Sequence, residues 1–162
     1  MIYIVSGKQG EGKTKRCLEI AAYLKSKNEK VGGIVAPGFW ENNTRSGFDL
    51  MDIQTGKTRA FAQRTKREEW RQIKTFYFNP QAISWGDAVL RKAHNQCDWI
   101  FLDELGKLDM QGHLWNKVFT ELIQHTQKNW ILSIRESFVE EVIQQWRLYP
   151  NTPIHLHDTF PF

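Results

Sequence analysis

The stretch Gly7-Lys8-Gln9-Gly10-Glu11-Gly12-Lys13-Thr14 decides how this chain reads. It fits the pattern G-x-x-x-x-G-K-[ST] at every fixed position. Before it, Met1-Ile-Tyr-Ile-Val-Ser6 is a short apolar run rich in β-branched residues, the composition of a buried parallel strand. After it, residues 15–24 read as a helix with Cys17, Ala21 and Leu24 on one side. Strand, loop and helix together form an anion trap. The glycines allow a tight turn and close approach of backbone to ligand. Successive N–H groups and the helix N-terminus then supply positive potential. Lys13 is expected to reach the β- and γ-phosphates of a nucleotide, and the Thr14 hydroxyl to enter a Mg²⁺ shell. Nucleotide contacts are therefore expected from Gly7, Lys8, Gln9, Gly10, Glu11, Gly12, Lys13, Thr14 and Lys15.

A second run completes the site. Trp99-Ile-Phe-Leu102 is the most apolar strand of the chain and ends in Asp103-Glu104. In open α/β sheets ligands sit at the C-terminal ends of strands. Asp103 is placed to hold Mg²⁺, directly or through water, and Glu104 to orient or deprotonate an attacking water. An acid directly after the metal-binding Asp is the pattern of RecA-like and AAA-like ATPases. That pattern implies a further strand between the loop strand and the Asp103 strand, for which Trp130–Ile134 is the candidate. Ser133 or Arg135 at its end would then sense the γ-phosphate. Arg135 either supplies transition-state charge or is an ordinary surface arginine.

Between and beyond these runs, strands and helices alternate, the signature of a parallel sheet covered on both faces. Val31–Pro37 reads as a second strand. Ser46–Ile53 and Thr58–Ala62, joined by a turn at Gln54–Lys57, read as a β-hairpin within an insertion at about 38–78. The hairpin is a candidate lid over the nucleotide. A basic connection and a short strand at Thr75–Phe78 follow. Asn79 caps a helix whose first residue is Pro80 and which runs to about His94. Leu114, Val118, Leu122 and His125 mark another helix face, and Val139, Val142, Ile143 and Trp146 a third. Pro150–Pro153 closes that helix, and Ile154–His157 is the last expected strand.

Composition sets limits. At 162 residues with a net charge of +4, the chain has one domain's worth of sequence, 1–162, and is only mildly basic. No apolar stretch approaches the roughly 20 residues that span a bilayer. Cys17 and Cys97 show neither metal-ligand spacing nor a disulfide framework, which points to reducing cytoplasm. The basic segment Arg64–Lys74, with Trp70, is a possible nucleic-acid contact but reads better as a solvated connection, so nucleic acid is not an expected partner. Trp40, Phe48 and Trp85 are candidates to stack on a base or to fill core. Arg45 either reaches the triphosphate or makes an ion pair in the hairpin. His155 and His157 are expected on one face of a strand, but two ligands do not make a zinc site.

These residues resemble a known family, the small phosphate-loop nucleoside-triphosphatases of thermophiles, which also include the cancer-related nucleoside-triphosphatase. The resemblance rests on the glycine loop, on Arg45-Ser-Gly-Phe-Asp49 in the place of an R-x-G-F-D segment, and on Asp103-Glu-Leu-Gly-Lys-Leu108 in the place of D-E-[IL]-G-K-[ML]. It implies a three-layer α/β phosphate-loop fold with RecA/AAA-like strand order and a β-hairpin insertion. It also implies Mg²⁺-dependent hydrolysis of several nucleoside triphosphates to diphosphates, with little base selectivity. Lys13, Glu104 and Arg135 would be catalytic, Thr14 and Asp103 would hold the metal, and Arg45 would join the nucleotide contacts. Lys107 lies where the family keeps a lysine. The chain departs from the family at Lys15, at Lys8-Gln9, across 64–75 and at its end, Asp158-Thr-Phe-Pro-Phe162. A small-molecule kinase is the rival reading, built on the same cradle with an acceptor pocket between the hairpin and the helix from Pro80. Glu104 would then accept the acceptor's hydroxyl proton. A nucleotide-dependent switch or nucleic-acid-associated ATPase is another rival. Oligomeric state is left open.

Overall fold

The first strand, β1 (Ile2–Gly7), is apolar on both faces because both faces are covered. Ile4 turns into one core while Tyr3 and Val5 turn into the other. The structure, a computed structural model, describes residues 1–124 and 127–162. After β1 come α1 (Lys13–Ser26), β2 (Val31–Val35), β3 (Gly38–Glu41), β4 (Thr44–Asp52) and β5 (Thr58–Gln63). Then follow β6 (Arg71–Ile73), β7 (Phe76–Phe78), α2 (Pro80–Gln96), β8 (Trp99–Leu102), α3 (Lys107–Met110) and α4 (Asn116–Ile123). The chain continues with β9 (Asn129–Arg135), α5 (Val139–Trp146) and β10 (Asn151–Ile154).

Among the described residues these strands form one sheet in the order β10-β1-β9-β8-β2-β4-β5-β7-β6, with β3 paired to β4. The five strands from β10 to β2 are parallel, and the remainder run antiparallel. β9 lies between β1 and β8, as the Asp-Glu pattern implies. The alternation of the pleat splits the core in two. Ile100 and Leu102 of β8, with Trp130, Leu132 and Ile134 of β9, face a core that also takes Ala82, Leu90, Val118 and Val142 from α2, α4 and α5. Trp99, Phe101 and Ile131 face Cys17, Ile20, Ala21 and Leu24 of α1. The expected three-layer α/β fold is present.

The α1 face is finished by the end of the chain. The Phe162 ring lies 5.1 Å from Tyr3 and 4.7 Å from Trp99, and Phe160 lies 4.9 Å from Tyr23. Phe162→Ala is expected to cost about 1–2 kcal/mol, because the ring is only partly buried but contacts the rings of Tyr3, Tyr23, Trp99 and Phe160. A fall in the urea midpoint with an unchanged slope would show it.

Several expectations need correction. The last strand is Asn151–Ile154, not Ile154–His157: its pairing with β1 ends at Val5↔Ile154, the last residue that reaches the core. His155 and His157 are exposed beyond it and share no strand face. The basic connection contains a strand, β6, paired antiparallel with β7, and Trp70 there is covered by Arg67 at 4.6 Å. The insertion opens with a strand that the sequence reading did not expect, Gly38–Glu41. Leu114 precedes α4, which starts at Asn116, and His125 lies outside the described residues. The hairpin from Arg45 to Ala62 is a continuation of the sheet rather than a separate flap, since Ile34↔Asp52 and Val35↔Met51 bind β4 to β2. Asn79 caps α2 as expected, its side chain accepting from the Gln81 N–H at 3.1 Å.

Candidate active site

The loop between β1 and α1 is held open from within. Gly10 and Gly12 sit at φ +79° and +98°, a region that favours glycine. The Lys8 N–H donates to Glu11 Oε2 at 2.6 Å, which pins the turn. Lys13 is buried, and its Nζ donates to the Lys8 carbonyl at 3.1 Å. Gly12 offers no side-chain cap, so the first N–H groups of α1 remain free to face an anion. Lys8, Gln9, Gly10, Glu11 and the Lys15 side chain are exposed around this cradle.

Asp103 is the hub. It is 2% exposed, and its carboxylate is bonded by three elements. Thr14 Oγ1 of α1 donates to Oδ2 at 2.7 Å, and the Ala36 N–H at the end of β2 donates to the same oxygen at 3.0 Å. Ser133 of β9 donates to Oδ1. Ser133 also accepts the Glu104 N–H at 2.8 Å. Ser133 therefore lies beneath the two acids and is fully buried, not placed at the strand end as a phosphate sensor. Thr14 and Asp103 present only oxygen donors, a hydroxyl and one carboxylate. That set suits Mg²⁺, which takes one or two protein oxygens and completes its octahedron with phosphate and water.

Glu104 takes a left-handed backbone, φ 58°, that turns its side chain toward the loop. Its Oε1 stands 3.7 Å from Lys13 Nζ. Burial pushes the Glu104 carboxyl up and the neighbouring Asp103 pushes it further, while Lys13, Arg45 and Arg135 pull it back. A carboxylate made more basic in this way is a better proton acceptor near neutral pH. Arg45 is buried, with its guanidinium 4.8 Å from the Trp40 ring and 4.7 Å from Phe48, and its Nε lacks a hydrogen-bond partner. It makes no hairpin ion pair among the described contacts. Trp40 is half exposed and hangs over the loop tip: a Cβ at Gly10 would lie 3.2 Å from its ring. Arg135, at the end of β9, is half-buried beside Phe138. Trp85 packs on the core with Arg59 over its ring.

Two residues escaped the sequence reading. Arg16 is buried, donates to the Asp158 carbonyl and lies 4.5 Å from the Phe160 ring. Its signal was its spacing: Lys13, Arg16, Ile20 and Leu24 share the buried stripe of α1. Asp109 is buried and accepts N–H groups from Gly106 and Trp115, each at 3.0 Å. Burial raises its carboxyl to about 7 against the pull of those backbone donors. The unfolded carboxyl ionises near 3.9. Between the two values the folded state holds a proton that the unfolded state has lost, so stability falls as pH rises through this window. From pH 5 to pH 8 the loss from this group is about 2–3 kcal/mol. Urea unfolding at both values should show it, and Asp109→Asn should remove that part of the slope. Cys17, by contrast, is inert: burial and the two acids hold its thiol well above the usual range.

Residues 2–155 match the family described as NTPase. This chain belongs to that family. Among NTPase-family relatives, nucleoside-triphosphatase THEP1 of Korarchaeum cryptofilum is 30% identical over 132 residues, 82% of this chain and 66% of the relative's length. The chain thus spans about two thirds of that relative. The THEP1 of Pyrobaculum aerophilum is 30% identical over 139 residues, 84% of this chain and 75% of that one. The crystal structure of THEP1 from Aquifex aeolicus superposes with a TM-score of 0.72 at 20% identity, over 96% of this chain and 90% of that one. The solution structure of a human cancer-related nucleoside triphosphatase gives 0.67 at 18%, over 94% and 87%. These likenesses carry the phosphate-loop fold, and the NTPase family is a family of hydrolases.

Proposed function

We propose that this chain hydrolyses nucleoside triphosphates to diphosphates and inorganic phosphate, using Mg²⁺ and discriminating little between bases. One observation carries the reading: Lys13, Thr14, Asp103 and Glu104 come from two distant parts of the sequence and meet within hydrogen-bond or ion-pair reach. The names of the relatives support the hydrolytic class.

In this reading the loop amides and Lys13 hold the β- and γ-phosphates, and Glu104 accepts a proton from the attacking water. Thr14 and Asp103 would hold Mg²⁺, which neutralises charge on the β- and γ-oxygens. Arg45 and Arg135 place positive charge around Glu104 and the transferring group. Ser133 and the Ala36 N–H keep Asp103 from turning, so the work is chiefly positioning. Broad base use follows from the same list, since these groups address phosphate oxygens that every nucleoside triphosphate shares.

The test is phosphate release from ATP, GTP, CTP and UTP, with and without Mg²⁺ and with no acceptor added. Release from several nucleotides that vanishes with chelator supports the whole reading. Lys13→Ala is expected to lower release by at least about 10²-fold, as loss of a phosphate clamp does. Wild-type protein that binds ATP but releases no phosphate would refute it.

A further inference from the structure

Next to the acids, on the side away from the glycine loop, lies a cavity of about 240 Å³. Its walls are largely aromatic: Phe48, Phe61, Phe76, Phe78 and Trp115, with Leu108 and Leu114 beside them. Phe61 and Trp115 stack with ring centres 5.6 Å apart, and Phe61 meets Phe78 edge-on at 5.3 Å. Glu104 and Arg135 stand in its lining, but no residue of the loop 7–14 does. A ligand in this space and a triphosphate on the loop would therefore share Asp103, Glu104 and Arg135, and nothing of the loop itself.

Hydrolysis alone needs room for one water. This space exceeds the ~150 Å³ that suffices for a benzene molecule, and its walls offer ring faces rather than water partners. Phe48, Phe61, Phe76 and Phe78 all come from the antiparallel extension that β2 carries, so the extension forms a wall of the cavity as well as an edge of the sheet.

We propose that this cavity is a second-substrate subsite, which takes a small, flat, apolar molecule bearing a hydroxyl group and presents that hydroxyl as acceptor of the γ-phosphoryl group. The inference rests on the reading of Lys13 and Glu104 as the phosphoryl-transfer centre. The acceptor oxygen forms a bond to the γ-phosphorus as the bond from that phosphorus to the bridging oxygen breaks. The electron pair leaves with the nucleoside diphosphate, and the acceptor proton passes to the Glu104 carboxylate. The products are a phosphate monoester and a nucleoside diphosphate, with no change of oxidation state.

The experiment uses the full chain, ATP, Mg²⁺ and two probes followed by fluorine NMR: para-fluorophenethyl alcohol and para-fluoroethylbenzene, which lacks the hydroxyl. Saturable broadening of the alcohol is expected, and its loss in Leu108→Trp, which puts a larger side chain into the cavity lining. With ATP the alcohol should give a new phosphate-ester signal, confirmed by mass, with diphosphate formed in excess of free phosphate. Leu108→Trp should leave probe-free phosphate release within about twofold of wild type, because Leu108 is none of the residues proposed to hold phosphate, metal or the attacking water. Leu114→Phe is a second blocking variant should the first not fold. No saturable binding, binding unchanged by both blocks, or binding without ester formation would each overturn the proposal. Probe-free release, measured in the same samples, reports on the hydrolase reading separately.

Discussion

Glu104→Gln is expected to slow phosphate release by about 10²–10⁴-fold, the range general-base catalysis supplies, while leaving nucleotide binding intact or tighter. Glutamine keeps the shape of the side chain. It also keeps the backbone N–H that bonds Ser133, so Asp103 and the end of β8 should hold their places. What it cannot do is take a proton. Binding should survive because Lys13, freed from an acid 3.7 Å away, is fully available to phosphate. Equilibrium binding of a fluorescent nucleotide, alongside turnover, separates the two effects. The raised Glu104 carboxyl adds a second readout: wild-type turnover should fall as acid protonates this group, whatever the substrate. Turnover of the variant within about threefold of wild type would remove Glu104 from the chemistry.

The second large effect is structural. Gly33→Ala is expected to destabilise the fold by about 4–5 kcal/mol, enough to leave much of the protein unfolded or insoluble. Gly33 sits in the middle of β2 at φ +111°, which an L side chain rarely adopts. A Cβ there would lie 2.2 Å from the Phe101 carbonyl oxygen and 2.5 Å from its nitrogen, both backbone of the paired strand. Backbone in a central strand cannot swing aside as a side chain can. The clash also falls two residues before Asp103, so whatever folds should show impaired turnover. Thermal unfolding and soluble yield would measure the effect; a variant as stable as wild type would mean that β2 and β8 are spaced more widely than the register implies.

Much of this was legible in the sequence because the chemistry is written locally. Gly7 to Thr14 need only their own spacing to form a cradle, and Asp103-Glu104 need only a preceding apolar strand to stand at its end. The position of β9 between β1 and β8 followed from that pair. What was not legible depends on tertiary pairing. Arg71–Ile73 carries the charge of a solvated linker, and only its partner Phe76–Phe78 makes it a strand. Asn151–Ile154 contains Pro153 and looks like a turn, yet it holds an edge of the sheet, where a missing N–H is tolerated. Ser133 looked like a strand-end sensor, but the pleat turns it under Asp103. A pocket against the hairpin was expected, but not its aromatic lining: the walls come from β4, β5, β7 and the segment before α4, which no local pattern joins, and none comes from α2.

On the proposed function, the pairing of Lys13 with Glu104 would work as an interlock. The cation proposed to grip phosphate is engaged with the acid and with the Lys8 carbonyl. A triphosphate that drew Lys13 onto its terminal oxygens would release the acid at the same moment. A diphosphate, which ends one phosphate short, would leave the two groups occupied with each other. The same two residues would then read the length of the phosphate chain before any bond is broken.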